Sequence, residues 1–355
     1  MGNILNYLHN NANISFKQLP FNVVDSLILS TLSYLPFTKY TSSKNFTGEI
    51  ILDKIKKDQS LSKEKKQLFE QAFNGIRYNH LHIYNPVSQN EKETEKQFAA
   101  NTFVFNDNSI YVAFRGTDST LVGWKEDLNM GFMDVIPSQI DAVNYLRQII
   151  NHFSDYKIFV GGHSKGGNLA VYSAIFIDEA LQNKIHTIFS HDGPGFRERI
   201  FKEENYLKIV DKINKTIPES SLFGLLLENQ EKLKIIKSSQ FWIFQHDPFS
   251  WLVENNDFIY LNETSKLSKS FDSSLNQWLT TLSDSERQKF INTLYEVCKQ
   301  LDIEKINQLK FSLIIHKLPE ILLTIKNIDP KTKKFIYKTI KALIKITYQN
   351  FMKNT

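Results

Sequence analysis

The sharpest chemical feature of this chain is a serine set between glycines, at Gly162-His163-Ser164-Lys165-Gly166. An apolar run, Lys157-Ile158-Phe159-Val160, precedes it, and a segment with small residues on one side, Asn168 to Ala174, follows. A serine turned out between a strand and a helix takes a strained backbone that presents its Oγ. Side chains two positions before and after would collide with neighbouring backbone, so glycine suits both. The helix that follows aims N–H groups at the place where an oxyanion forms. A serine hydroxyl is a poor nucleophile until a base takes its proton and a carboxylate holds that base. Of nine histidines, His246 follows the apolar run Phe241–Phe244, whereas His316 sits inside the apolar helix pattern 313–318 and reads as structural. Asp192 follows the run Ile185–Ser190 and is turned by Gly193 and Pro194. Asp247 adjoins His246, and neighbours at a strand end point apart. Glu219 and Asp211 remain open as the acid, and any of these carboxylates can instead cap a turn.

The elements that must position these residues follow from periodicity. Residues 1–20 read as a loose, Asn-rich lead-in. Val23, Leu27, Ile28 and Leu32 recur at helical spacing, with Asp25 and Ser26 on other faces. Two further helices are expected over 48–60 and 62–75, the second capped by Ser62. Tyr78–Tyr84 alternates as a strand does. Phe98–Phe105 and Ser109–Phe114 form an antiparallel pair around the Asn106-Asp107-Asn108 turn. A crossover helix over 138–152 leads to the serine turn, and its helix runs to about Leu181. Strand Ile185–Ser190, a helical stretch 197–212, strand Lys212–Ile217 and a last strand Phe241–Phe244 follow. Helices are expected over 273–282, 284–301, 303–316, 318–327 and 331–351. Strands alternating with helices indicate a mostly parallel central sheet flanked by helices, with an added C-terminal helical region. In such sheets reactive groups gather at the carboxyl ends of strands, where Ser164, Asp192 and His246 are all expected.

Several motifs together carry a resemblance. Phe114-Arg115-Gly116-Thr117, Trp124 with Asp127-Leu128, and Gly162 to Ala170 resemble the class 3 (fungal-type) lipase pattern. Asp192-Gly193-Pro194-Gly195-Phe196, Ile217-Pro218 with Ser220-Ser221, and Gln245 to Trp251 are similar to those of a group of bacterial lipase-like α/β-hydrolases. The resemblance spans about residues 20–300. It implies the α/β-hydrolase fold, ester hydrolysis, Ser164 as nucleophile in the G-x-S-x-G elbow, and a Ser, Asp, His chain order. It also implies Thr117 as an oxyanion residue, joined by the N–H of Lys165, and a lid over Ser119–Phe132. The departures are Lys165, where a small or apolar residue is usual, and the missing Asp-Pro-Val-Pro acid loop. The apolar segment Leu222–Leu227 is a candidate wall for an acyl chain. An acyltransferase or thioesterase could use the same site. From another class, the rival is a secreted effector or partner-binding module whose helical tail docks a helical protein.

Composition sets the outer limits. The chain has 355 residues, 41 % of them hydrophobic and 23 % charged, enough for a well-filled core. Three regions are expected: an N-terminal helical segment over 1–75, a hydrolase core over 76–268 and a helical region over 269–355. The single cysteine, Cys298, rules out an intrachain disulfide and reads as an inert core thiol. The net charge of +5 is uneven: eleven lysines against four acidic residues give +7 over 301–355, leaving the rest near −2. Such a basic end suits either an anionic membrane surface or a solvated helix face. Nothing in it resembles a groove-reading nucleic-acid motif. The N-terminus lacks a basic region followed by an apolar one, and no stretch of about 18 apolar residues exists. A cytoplasmic protein is expected, with signal-independent secretion left open. His80 and His82 lie two apart on one predicted strand without a third ligand, so no metal is expected. The chemistry described needs no organic cofactor.

Overall fold

A mixed sheet organises the computed structural model, which describes residues 1–118, 120–300 and 330–354. Its strands are β1 (Asn45–Thr47), β2 (His82–Glu91), β3 (Lys96–Val104), β4 (Ser109–Phe114), β5 (Lys157–His163), β6 (Ile185–His191), β7 (Ile213–Pro218) and β8 (Leu233–Ile236). A hairpin of β9 (Val253–Glu254) and β10 (Asp257–Phe258) stands apart, and β11 (Tyr260–Leu261) closes the edge beside β8. The spatial order is β1-β2-β3-β4-β5-β6-β7-β8-β11. From β4 to β8 every neighbour is parallel, while β3 joins β4 antiparallel across the Asn106–Asn108 turn. This mostly parallel sheet with flanking helices is the α/β-hydrolase fold.

Burial on both faces explains the sequence of the central strands. All six residues of β4 are buried, as a parallel sheet covered on both sides requires. Tyr111, Phe159 and Phe189 pack with Phe21 and helix Val23–Leu32 in one core cluster. On the other face, Phe114 packs edge-on against Tyr145 of helix Pro137–His152.

Helix Val23–Leu32 forms as its spacing indicates and has no solvent face: all ten residues are buried. Its Asp25 is neutralised inside the protein by Arg77, whose Nε donates to Oδ1 at 2.9 Å. The hydroxyls of Tyr7 and Tyr78 also donate to Asp25. The lead-in is likewise not loose. Asn3 and Asn6 make a reciprocal capping box that starts helix Ile4–Asn11, which buries Ile4, Tyr7 and Leu8.

Several boundaries differ from expectation. The strand read at 78–84 begins only at His82, so His80 lies in a turn. Residues 48–57 split into a 3₁₀ turn and helix Leu52–Lys57. Ser62 caps helix Lys63–Asn74 through the Lys65 N–H, as its sequence indicates. The elbow helix ends at Phe176, followed by the short helix Glu179–Gln182. The stretch 197–212 breaks into helix Glu204–Ile209 with a 3₁₀ turn on each side. The expected strand Phe241–Phe244 does not form. Trp242 takes a φ of 51°, outside strand geometry, and begins the 3₁₀ turn Trp242–His246. The place beside β7 is filled by Leu233–Ile236 instead.

The chain divides into two compact units. The first comprises Met1–Gln89, Phe98–Gly116 and Ser138–Ser265. The second comprises Asn90–Gln97, Thr117–Pro137 and the described residues from Lys266 onward. In the second unit, helix Pro330–Asn354 packs on helix Lys266–Thr280, burying Ile346 and taking a 3.0 Å hydrogen bond from Trp278 Nε1 at the Thr339 carbonyl. Tyr337 and Ile340 of that helix stay exposed. Cys298, on helix Asp284–Gln300, is half-buried rather than core, and burial raises its thiol pKa. The helices expected over 303–316 and 318–327, with His316, lie outside the described residues. No described helix is long and apolar enough to cross a membrane.

Candidate active site

Ser164 occupies the turn between β5 and helix Lys165–Phe176, with φ 58° and ψ −133°. That backbone is strained for any residue with a Cβ and points to function rather than packing. A Cβ at Gly162 would strike the backbone of Gly166 and Phe114, and one at Gly166 would strike Phe114. The two glycines therefore serve close approach, not a positive φ. The Ser164 N–H donates to the His191 carbonyl at 2.9 Å, which ties the turn to the end of β6.

Asp192 leaves the end of β6 in the left-handed region, φ 50°, and is fully buried. Its Oδ1 accepts from the Ser221 hydroxyl and, at 3.0 Å, from the Gly224 N–H. Its Oδ2 lies 2.6 Å from Nδ1 of His246, which donates to it. The following loop is held by Asn168 of the elbow helix, which donates to the carbonyls of Pro194 at 3.2 Å and Gly195 at 3.0 Å.

His246 ends a 3₁₀ turn, so no ladder fixes its backbone. Other contacts do. Trp251 Nε1 donates to the Gln245 carbonyl at 2.8 Å, and the Gln245 side chain accepts from the Ser220 N–H at 2.7 Å. The imidazole is flanked by Phe223, with ring centroids 4.1 Å apart, and by His163, at 4.5 Å. Its side chain keeps 22 % of its surface exposed. Among the described residues, no hydrogen bond joins the Ser164 hydroxyl to the imidazole; such bonds commonly tighten only around substrate.

The other acid candidates sit elsewhere. Asp247 accepts from the Phe249 N–H at 3.1 Å, capping the next 3₁₀ turn. The Glu219 N–H donates to the Ile236 carbonyl, continuing the ladder between β7 and β8. Asp211 precedes β7, at the end of the strand opposite Pro218. His82 Nδ1 lies 3.1 Å from the Asn45 amide oxygen, and among the described residues no three His, Cys, Asp or Glu side chains converge as metal ligands do.

Lys165 opens the elbow helix with its side chain buried. Thr117 belongs to the second unit, where its hydroxyl donates to the Asp127 carboxylate at 2.6 Å. That proton is thus committed, leaving the backbone N–H for any oxyanion role. In the segment that follows, Ser119 lies outside the described residues. Thr120 caps helix Leu121–Asn129, and the Glu126 carboxylate accepts from the Gln97 N–H at 3.0 Å. Leu222 to Leu227 forms an irregular, largely half-buried connection.

Residues that sequence reasoning left without a role brace the site. Ser221 and Gly224 hold the acid, Asn168 holds its loop, and Trp251 and Gln245 hold the turn that carries His246. Their only signal was membership in the quoted motifs. His163 shares that signal, and Tyr34 gave none.

Comparison with known structures finds similar chains among lipases. M37 lipase is 17 % identical over 56 % of this chain and 68 % of its own, with a TM-score of 0.38. A mutant MDLA from Penicillium cyclopium is 15 % identical over 66 % and 83 %, TM-score 0.41. The Rhizomucor miehei lipase–propeptide complex is 15 % identical over 61 % and 67 %, TM-score 0.39. No match was found among curated proteins. A family description, Mbeg1-like, matches residues 72–296, well over half of the chain. The chain belongs to the Mbeg1-like family, a lipase-like α/β-hydrolase family.

Proposed function

We propose that this chain is a serine hydrolase that cleaves carboxylic esters, of lipase, phospholipase or carboxylesterase type. The observation that carries the reading is the 2.6 Å contact between His246 Nδ1 and the fully buried Asp192, at the same sheet end as the strained Ser164 turn. A carboxylate so placed fixes the imidazole tautomer, leaving Nε2 bare to accept a proton. Ser164 Oγ attacks the acyl carbonyl while Nε2 of His246 takes its proton. The tetrahedral intermediate collapses, His246 returns the proton to the leaving alcohol, and an acyl-serine remains. Water, deprotonated by His246, then releases the acid. Oxyanion donors are the N–H of Lys165, at the start of the elbow helix, and, on the motif resemblance, the N–H of Thr117. Leu225 and Leu226 are proposed to contact the acyl chain.

The test is turnover of p-nitrophenyl esters from acetate to palmitate by the wild type, Ser164→Ala and His246→Ala. Hydrolysis abolished in both variants supports the reading. Turnover that survives Ser164→Ala contradicts it.

A further inference from the structure

His163, between the first elbow glycine and Ser164, is a buried side chain with two polar nitrogens that the proposed chemistry does not use. Its Nε2 lies 2.8 Å from the carbonyl oxygen of His246. Its Nδ1 lies 3.1 Å from the hydroxyl of Tyr34. A carbonyl only accepts, so Nε2 must carry the proton. Burial first, then the neighbouring His246, keeps this ring far below its ordinary pKa and therefore neutral, despite the opposing hydrogen bond to the His246 carbonyl. Lys65 and His191 add repulsion in the same direction. Neutral His163 with Nε2–H has a bare Nδ1, which accepts from Tyr34. One tautomer thus satisfies both partners.

We propose that His163 is a positioning residue, setting the main chain of the base His246 relative to the nucleophile Ser164. The proposal rests on the triad reading above. Its geometric basis is covalent adjacency: His163 and Ser164 share a peptide unit, so the hydrogen bond from the His163 ring ties nucleophile and base into one frame. The tie adds to the contacts of Trp251 and Ser220 with Gln245, on a base that stands on a 3₁₀ turn rather than a strand. Trp242 and Phe244 of that turn, and Phe241 before it, have exposed side chains. Asp192 orients the imidazole plane. His163 locates the backbone from which that imidazole hangs.

His163→Phe keeps an aromatic ring and removes the donor. We expect kcat to fall about 30- to 100-fold, as a misplaced catalytic group costs on that order, with KM changed less than about twofold. Labelling of Ser164 by a fluorophosphonate should slow in parallel, since it uses the same base. His163→Gln places an amide N–H near the position of Nε2, whereas His163→Asn places it near Nδ1. The Gln variant should therefore recover most of kcat and the Asn variant should not. Thermal melts establish that each variant is folded. Should the Phe variant not fold, the Gln and Asn pair decides. A wild-type kcat for folded His163→Phe, or equal kcat for Gln and Asn, overturns the positioning role while Ser164→Ala and His246→Ala remain inactive. Activity in Ser164→Ala would instead overturn the triad reading.

Discussion

Asp25 and Asp192 are both fully buried carboxylates with several hydrogen-bond donors, yet their surroundings differ in kind. Asp25 lies among the N-terminal helices and faces Arg77, itself without exposure and always charged. The hydroxyls of Tyr7 and Tyr78 complete its shell. The site is sealed, and burial together with the Asp25 charge holds both phenols well above their ordinary pKa. Asp192 faces His246, which keeps a water-facing edge and a second ring nitrogen. A buried ion pair with no access to solvent holds a fold together. A buried carboxylate behind an accessible imidazole stores orientation for chemistry. The contrast teaches that burial of an acid does not identify its role; the chemical nature and exposure of its partner bear on it.

Breaking each site should give opposite phenotypes. Asp192→Asn should lower kcat by about 10³- to 10⁴-fold, because the amide no longer enforces the base tautomer. Its melting temperature should move far less than that of Arg77→Met. That second change leaves Asp25 buried and unpaired and should cost about 3–5 kcal/mol of stability. Chemical denaturation measures the loss, and kcat per folded molecule should be unaltered.

Acid sharpens the comparison further. His191 is buried between Ser26 and Thr216, each 2.7 Å from a ring nitrogen. Burial lowers its pKa to about 3, and His163 is depressed by burial as well. The unfolded chain takes up protons on both rings below about pH 6.5, while the folded chain does not. Stability is therefore full above that pH and declines as pH falls toward the folded-state values. His191 alone should cost about 2 kcal/mol between pH 7 and 5, and His163 adds loss in the same direction. Urea midpoints across that range measure it, and His191→Asn should flatten the slope.

Ser221→Ala removes one donor from Asp192 and should reduce kcat about tenfold, the worth of one buried hydrogen bond to a charge. Replacing Leu225 and Leu226 with Ser should reduce turnover of long acyl esters severalfold more than of short ones. Equal loss on all chain lengths would remove these residues from the acyl contact.

Much of the fold was legible because local signals and burial agreed. Strand Ser109–Phe114 carries an unbroken apolar run over Ile110–Phe114, and the Asn106–Asn108 turn marks its own hairpin. The glycine spacing around Ser164 reflects steric contact with Phe114 that any sequence must satisfy. Asp192 could be named from its place after a strand, with alternatives left open, and its 2.6 Å contact with His246 supports it as the proposed acid. His246 was named for an imperfect reason, since the apolar run before it leads into a 3₁₀ turn and is not a strand. Four apolar residues alone cannot tell a buried strand from an aromatic surface segment. The complete burial of helix Val23–Leu32 was not legible because the partner that neutralises Asp25 lies 52 residues away, beyond any local pattern. The bracing by Asn168, Ser221, Trp251 and His163 was illegible for the same reason.

The most direct measurement is labelling by a fluorophosphonate probe, with mass spectrometry of the labelled peptide. The account predicts a single adduct on Ser164, lost in Ser164→Ala and slowed at least a hundredfold in His246→Ala. A folded wild type that shows no adduct, or an adduct on another serine, would contradict the assignment of Ser164 as the nucleophile.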